Sequence, residues 1–341
     1  MIPAALLLLA AAPLDYAVAA EGPRFAEARV VVSGAELAVT LSFPDASPGA
    51  RVPAVVLLPG SGPSTRAESA PLARPFLDAG FAVLTFDKRG CGSSTGSWLT
   101  SSLEDMAADG RLLLDWVKAR SEVDAARVGI MGVSQGGWVA PLVALGRSDV
   151  AFLIALTGGG VSPRVIERFD YERRLELAGV RDADLLAARA AIDAYFAFLS
   201  GAIPQAAVTR LLESGKDRSW PADLGIARVL PSDAQRPAWS WVATFDPRPS
   251  LSSLQLPVLA MIGGRDRDPS MEVKDWQAAL AANGNPRTEI RVAPGSGHVL
   301  TLGGSHMRGV FNEQALDGMA AWAMGVVRSP SPAATDPRGR D

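Results

Sequence analysis

Gly132-Val133-Ser134-Gln135-Gly136 sets a hydroxyl nucleophile among glycines, a spacing suited to acyl transfer. An apolar run ends at Val133, and an apolar helical pattern starts directly behind Ser134. On such a strand-to-helix turn the serine is forced into a strained conformation. The glycines remove Cβ atoms that would collide with neighbouring chain. The Oγ is then exposed above the sheet, and the first helical amides direct their positive dipole end at the reacting atom. A serine hydroxyl alone is a weak nucleophile. It needs a base, and the base needs an orienting acid.

The chain has two histidines, His298 and His306. His298 sits in "APGSGHVLT", a glycine-rich loop behind the last strand pattern, from which an imidazole can reach back over the sheet. It is the preferred base. His306, in "LGGSHMRG" near the final helix, reads as a surface or capping residue. The acid is expected behind the strand Pro257–Gly263, where "GGRDRD" offers Asp266 and Asp268. Asp266, three residues past the strand, is preferred, and Asp268 reads as a solvated loop carboxylate. The oxyanion requires two preorganised backbone donors. The residue after the nucleophile, Gln135, supplies one N–H; Ser61, in the "PGSGP" loop behind Pro53–Leu58, is expected to supply the other.

These residues must be held by a sheet. "ARVVVS" and "ELAVTLSF" alternate as the strands of a first hairpin. Pro53–Leu58, Phe81–Phe86, Arg127–Val133, Ala151–Thr157 and Pro257–Gly263 are nearly continuous apolar runs, and Thr288–Ala293 closes the series. Strands buried on both faces of a parallel sheet read this way. Helical patterns lie between them, so the expected fold is α/β: a doubly wound, mostly parallel, eight-stranded sheet. The core is expected over residues 27–160 and 246–328. From 161 to 245 the strand patterns stop. "ADLLAARAAIDAYFAFLS" places Leu185, Ala188, Ile192, Tyr195, Phe196 and Leu199 on one helical stripe, so the segment reads as a helical cap. Its Trp239 and Trp241 are candidates for the substrate pocket.

The 341 residues are 48% hydrophobic and carry a net charge of -3, enough for one large α/β core or two small domains. Lys and Arg are scattered without a basic block, which argues against nucleic-acid binding. The single cysteine, Cys91, excludes an intramolecular disulfide and any CxxC metal site. No cofactor or metal motif is present, and none is expected. Residues 1–20 suit a signal peptide: an apolar run from Ala4 to Ala12, then Ala17-Val18-Ala19 as a cleavage pattern. That run is too short to span a bilayer. Export to the periplasm or medium is expected, with a cytoplasmic protein as the alternative. Residues 329–341, rich in proline and polar residues, read as a disordered tail.

"LLPGSGP", "FDKRGCGSSTG", "GVSQGGWVAP", "GGRDRD" and "PGSGH" follow one another in the order seen in α/β-hydrolase-fold serine hydrolases. From about Ala28 to Val327 the chain resembles their carboxylesterase branch, related to the S9/S33 serine peptidases. The resemblance implies Ser134 as nucleophile, Asp266 as acid, His298 as base, and Ser61 with Gln135 as the oxyanion hole. It also implies that the Asp87-Lys88-Arg89-Gly90 loop is structural and held by a buried Asp–Arg interaction. Two departures stand out: Pro59-Gly60 replaces the common His-Gly, and Arg267-Asp268 makes the acid loop unusually charged. The implied activity is hydrolysis of short- to medium-chain carboxylic esters, with a small-molecule ester as substrate. A peptidase, amidase or thioesterase of the same fold is the nearest rival, and Glu167, Asp170 and Glu172 would then anchor a substrate amino group. A non-catalytic binding protein that uses a hydrolase pocket is the rival from another class.

Overall fold

The computed structural model describes residues 25–45, 49–303 and 309–329. The signal-like segment, most of the tail and His306 therefore lie outside the described residues. Eight strands form one sheet: β1 (Phe25–Val32), β2 (Ala35–Ser42), β3 (Val52–Leu58), β4 (Ala82–Phe86), β5 (Val123–Val133), β6 (Leu153–Leu156), β7 (Val258–Gly263) and β8 (Thr288–Ala293). Their spatial order is β1-β2-β4-β3-β5-β6-β7-β8. β1 and β2 form an antiparallel hairpin, β2 joins β4 antiparallel, and every later pairing is parallel. The fold is thus the doubly wound, mostly parallel sheet that the apolar runs imply.

Continuous apolar runs are needed because the inner strands have a core on each face. On β3, Ala54, Val56 and Leu58 enter one core, and Val55 and Leu57 enter the other. β7 divides likewise, Val258, Ala260 and Ile262 against Leu259 and Met261. One face is covered by α2 (Leu103–Lys118), α3 (Gln135–Ala144) and the helices of 161–245; the other by α1 (Ala70–Asp78) and the C-terminal helix Glu313–Arg328.

From β3 the chain crosses through α1 to β4 on one side, then returns through α2 to β5 on the other. The reversal opens a crevice at the carboxyl ends of β3 and β5, where ligands bind in open α/β sheets. The described structure of residues 161–245 is helix and turn: α4 (Pro163–Leu177), α5 (Asp182–Leu199), α6 (Gln205–Ser214) and four short helices up to Thr244. Along α5, Ala188, Ile192, Tyr195, Phe196 and Leu199 are buried, and Leu185 packs against them. One small element has no counterpart in the sequence patterns. Thr301–Leu302 and Val310–Phe311 pair antiparallel behind the His298 loop, and two-residue strands are too short to show alternation.

Candidate active site

Ser134 connects β5 to α3 at a φ of 53° and a ψ of -113°, a conformation that side chains rarely adopt. Close backbone packing enforces it. A Cβ on Gly132 would sit 1.9 Å from the Gly136 carbonyl oxygen, and one on Gly136 would sit 2.4 Å from that of Leu58. The serine N–H is held by the Leu156 carbonyl at 2.9 Å, which ties the turn to the end of β6.

The loops behind β7 and β8 are laced together by main chain. Gly264 N–H donates to Ala293 O at 2.8 Å and Arg265 N–H to Ser296 O at 2.8 Å. Gly263 leaves room for this approach, since a Cβ there would sit 2.2 Å from Gly297 O. The lacing sets Asp266 against His298: both carboxylate oxygens lie 2.9 Å from Nδ1. A carboxylate only accepts, so Nδ1 carries the proton and Nε2 is left as acceptor. Nε2 lies 2.9 Å from Ser134 Oγ, in position to receive the hydroxyl proton. Burial pushes the Asp266 carboxyl up, but the hydrogen bond from His298, with the amide and charge of Arg267 beside it, outweighs burial and holds it below the usual carboxylate range. The acid therefore stays ionised under the imidazole.

Asp268 does a different job. Its Oδ1 accepts from Ser270 N and Met271 N, each at 3.1 Å, and so caps the helix Pro269–Asn283. It is a helix cap where a solvated loop carboxylate was expected. The oxyanion loop lies against the serine: a Cβ on Gly60 would be 3.4 Å from Ser134 Cβ. Ser61 follows it, and Gln135 opens α3.

The Asp87-Lys88-Arg89-Gly90 loop is held by an acid–arginine contact, but with its partner outside the motif. Arg89 forks onto Asp109 of α2 through two bonds of 2.6 Å. Asp87 accepts the amides of Arg66 at 2.9 Å and Ser93 at 2.8 Å, and its Oδ1 also lies 3.9 Å from the Arg66 guanidinium.

A narrow cleft opens over the three residues, with Trp138, Thr157, Ile166, Arg267 and Glu272 in its wall. Trp239 and Trp241, the expected pocket residues, do not line it. Trp241 packs on Trp138 with ring centroids 5.8 Å apart, and Trp239 packs on Trp98 at 5.9 Å while donating to Leu99 O at 2.8 Å. Trp241 thus backs a wall residue of the cleft, and Trp239 packs away from it. Sequence reasoning missed Trp138, although it lies four residues past the serine and so one helical turn along α3. Glu272 was missed as well. It accepts from Gly160 N at 3.2 Å, and burial pushes its carboxyl up to about 7. With Trp138 Nε1 donating to Val161 O at 2.8 Å, it clamps the chain where residues 161–245 begin.

The model of a family described as the alpha/beta hydrolase family matches residues 55–313. Among solved structures, the chain is similar to an esterase of Pyrococcus furiosus at 17% identity, with a TM-score of 0.58 over 88% of this chain and 90% of that one. It is similar to the hydrolase GrgF of Penicillium at 18% identity, with a TM-score of 0.57 over 90% and 100%. A third likeness is to Est1E of Butyrivibrio proteoclasticus, solved with ferulic acid, at 16% identity and a TM-score of 0.54 over 89% and 100%. An uncharacterized Mycobacterium tuberculosis protein is 36% identical over 112 residues, 33% of this chain. The match spans 38% of that relative's length.

Proposed function

The chain belongs to the α/β hydrolase family, and from that premise we propose that it hydrolyses carboxylic esters through an acyl-serine intermediate. The observation that carries this is the line from Asp266 through His298 to Ser134, every contact at 2.9 Å, on a strained strand-to-helix turn. His298 Nε2 accepts the Ser134 proton as Oγ attacks the acyl carbon. The carbonyl oxygen becomes an oxyanion received by the Ser61 and Gln135 amides. His298 then gives its proton to the departing alcohol. Water, activated by the same imidazole, releases the acid and restores the serine.

Esters are favoured over peptides by the state of the cap acids. An anchor for a substrate amino group would need free carboxylates near the cleft. Arg267 pairs with Glu167 at 3.4 Å and Asp170 at 3.1 Å, and Glu172 is engaged by Arg168 at 3.2 Å and Arg189 at 3.7 Å. The esterase of Pyrococcus furiosus and the ferulic-acid-bound Est1E share this fold, and their names accord with ester chemistry. The test is turnover of p-nitrophenyl acyl esters beside an aminoacyl p-nitroanilide. Ester turnover with little anilide cleavage is expected; preferred anilide cleavage would contradict it.

A further inference from the structure

Lys88 is 5% exposed, and three acceptors surround its ammonium. Nζ donates to Gly60 O at 2.7 Å, to Gly62 O at 3.2 Å and to Gln135 Oε1 at 2.7 Å. Its own N–H donates to Ser64 O at 2.9 Å, so both ends of the residue grip the oxyanion loop. All three acceptors are neutral. A buried ammonium without a carboxylate bears a large desolvation cost. A hydrophobic side chain of similar length would avoid that cost but leave the three acceptors unpaired, and the two effects oppose each other, so net stability does not account for a lysine here.

The identity of the acceptors does. Gly60 C=O and Ser61 N–H belong to one peptide group and point in opposite directions. An ammonium 2.7 Å from that oxygen fixes the plane of the peptide and draws electron density away from its N–H. The bond to Gly62 O holds the far side of Ser61, and the bond to Gln135 Oε1 restrains the residue that carries the second amide. We propose that Lys88 is a positioning residue of the reaction: its positive charge orients and polarises the Ser61 and Gln135 amides that receive the oxyanion. This rests on the serine-hydrolase reading above.

The charge can be titrated. Burial brings the Lys88 ammonium down to about 8, with Cys91 on its own loop opposing the change. The other charged groups around it are already committed: Asp87 to the Arg66 and Ser93 amides, and Arg89 to Asp109 across the neighbouring cavity. A lysine with a lowered pKa is charged below that value and neutral above it. Neutralisation removes one of three N–H donors and the charge, but leaves an amine that still braces the loop. A mechanical brace would therefore give no loss of rate through this range, whereas polarisation gives one.

The experiment measures kcat and KM for p-nitrophenyl acetate between about pH 6.5 and 9.5 in the wild type and in Lys88→Met. The wild type should lose kcat as pH rises through about 8, with KM unchanged. Lys88→Met should have kcat lower by roughly 10–100-fold at pH 7, below the loss from removing an oxyanion donor outright, and no falling limb near 8. Full kcat in a folded Lys88→Met, or the same limb in both proteins, would overturn the proposal. Should Lys88→Met fail to fold, the wild type decides alone: a kcat that stays level through 8 to 9.5 refutes it. A wild type that turns over no ester at any pH refutes serine hydrolysis itself, an outcome distinct from a level profile.

Discussion

Asp266 and Asp268 are two residues apart, and their oxygens do different work. Asp266 holds the His298 tautomer, and replacing it with Asn presents an amide that cannot accept at both positions. The expected loss in kcat is on the order of 10³–10⁴, with little change in stability. Asp268 caps a helix, and Asn caps as well as Asp, so Asp268→Asn should retain both activity and Tm. Steady-state kinetics of the two variants settle the assignment, and a reversed order would move the acid to Asp268. Ser134 and His298 were legible because the elbow has a local spacing and few histidines compete for the role. Lys88 was not. Two of its three partners are main-chain carbonyls 26 and 28 residues away, and nothing in a sequence marks a carbonyl as an acceptor.

The elbow works only if β5, α3 and β3 approach more closely than side chains allow. Gly132 lies under Gly136, and Gly136 under Leu58. Gly132→Ala would force a methyl group into the Gly136 carbonyl, so β5 and α3 must separate. Overpacking of this kind costs about 1–3 kcal/mol or more. Ser134 would shift away from His298 as well. A thermal melt should show Tm lower by on the order of 2–5 °C, together with loss of ester turnover; a normal Tm and rate would show that the turn has slack. Strands read well from the sequence because burial on both faces leaves long apolar runs. The lacing of the loops behind β7 and β8 did not, since main-chain bonds such as Gly264 N–H to Ala293 O carry no side-chain signature.

Across the whole molecule, the helices of 161–245 are fastened to the sheet at the cleft. Arg267, next to Asp266, pairs with Glu167 and Asp170 of α4, and Trp138, one helical turn past Ser134, packs on Trp241. The helical character of this segment was legible from the stripe on α5. Which aromatic faces the cleft was not, because Trp138 and Trp241 are both apolar residues on helices and only their packing separates wall from backing. Among the described residues no helix is long and apolar enough to cross a membrane. The proposed reaction turns on one atom, Ser134 Oγ, which lies 2.9 Å from His298 Nε2. Reaction with a fluorophosphonate probe, followed by peptide mass spectrometry, tests this most directly. One adduct is expected, on Ser134, that abolishes ester turnover in proportion to labelling and is absent from Ser134→Ala. An unlabelled Ser134 in an enzyme that still cleaves esters, or full turnover by Ser134→Ala, would contradict it.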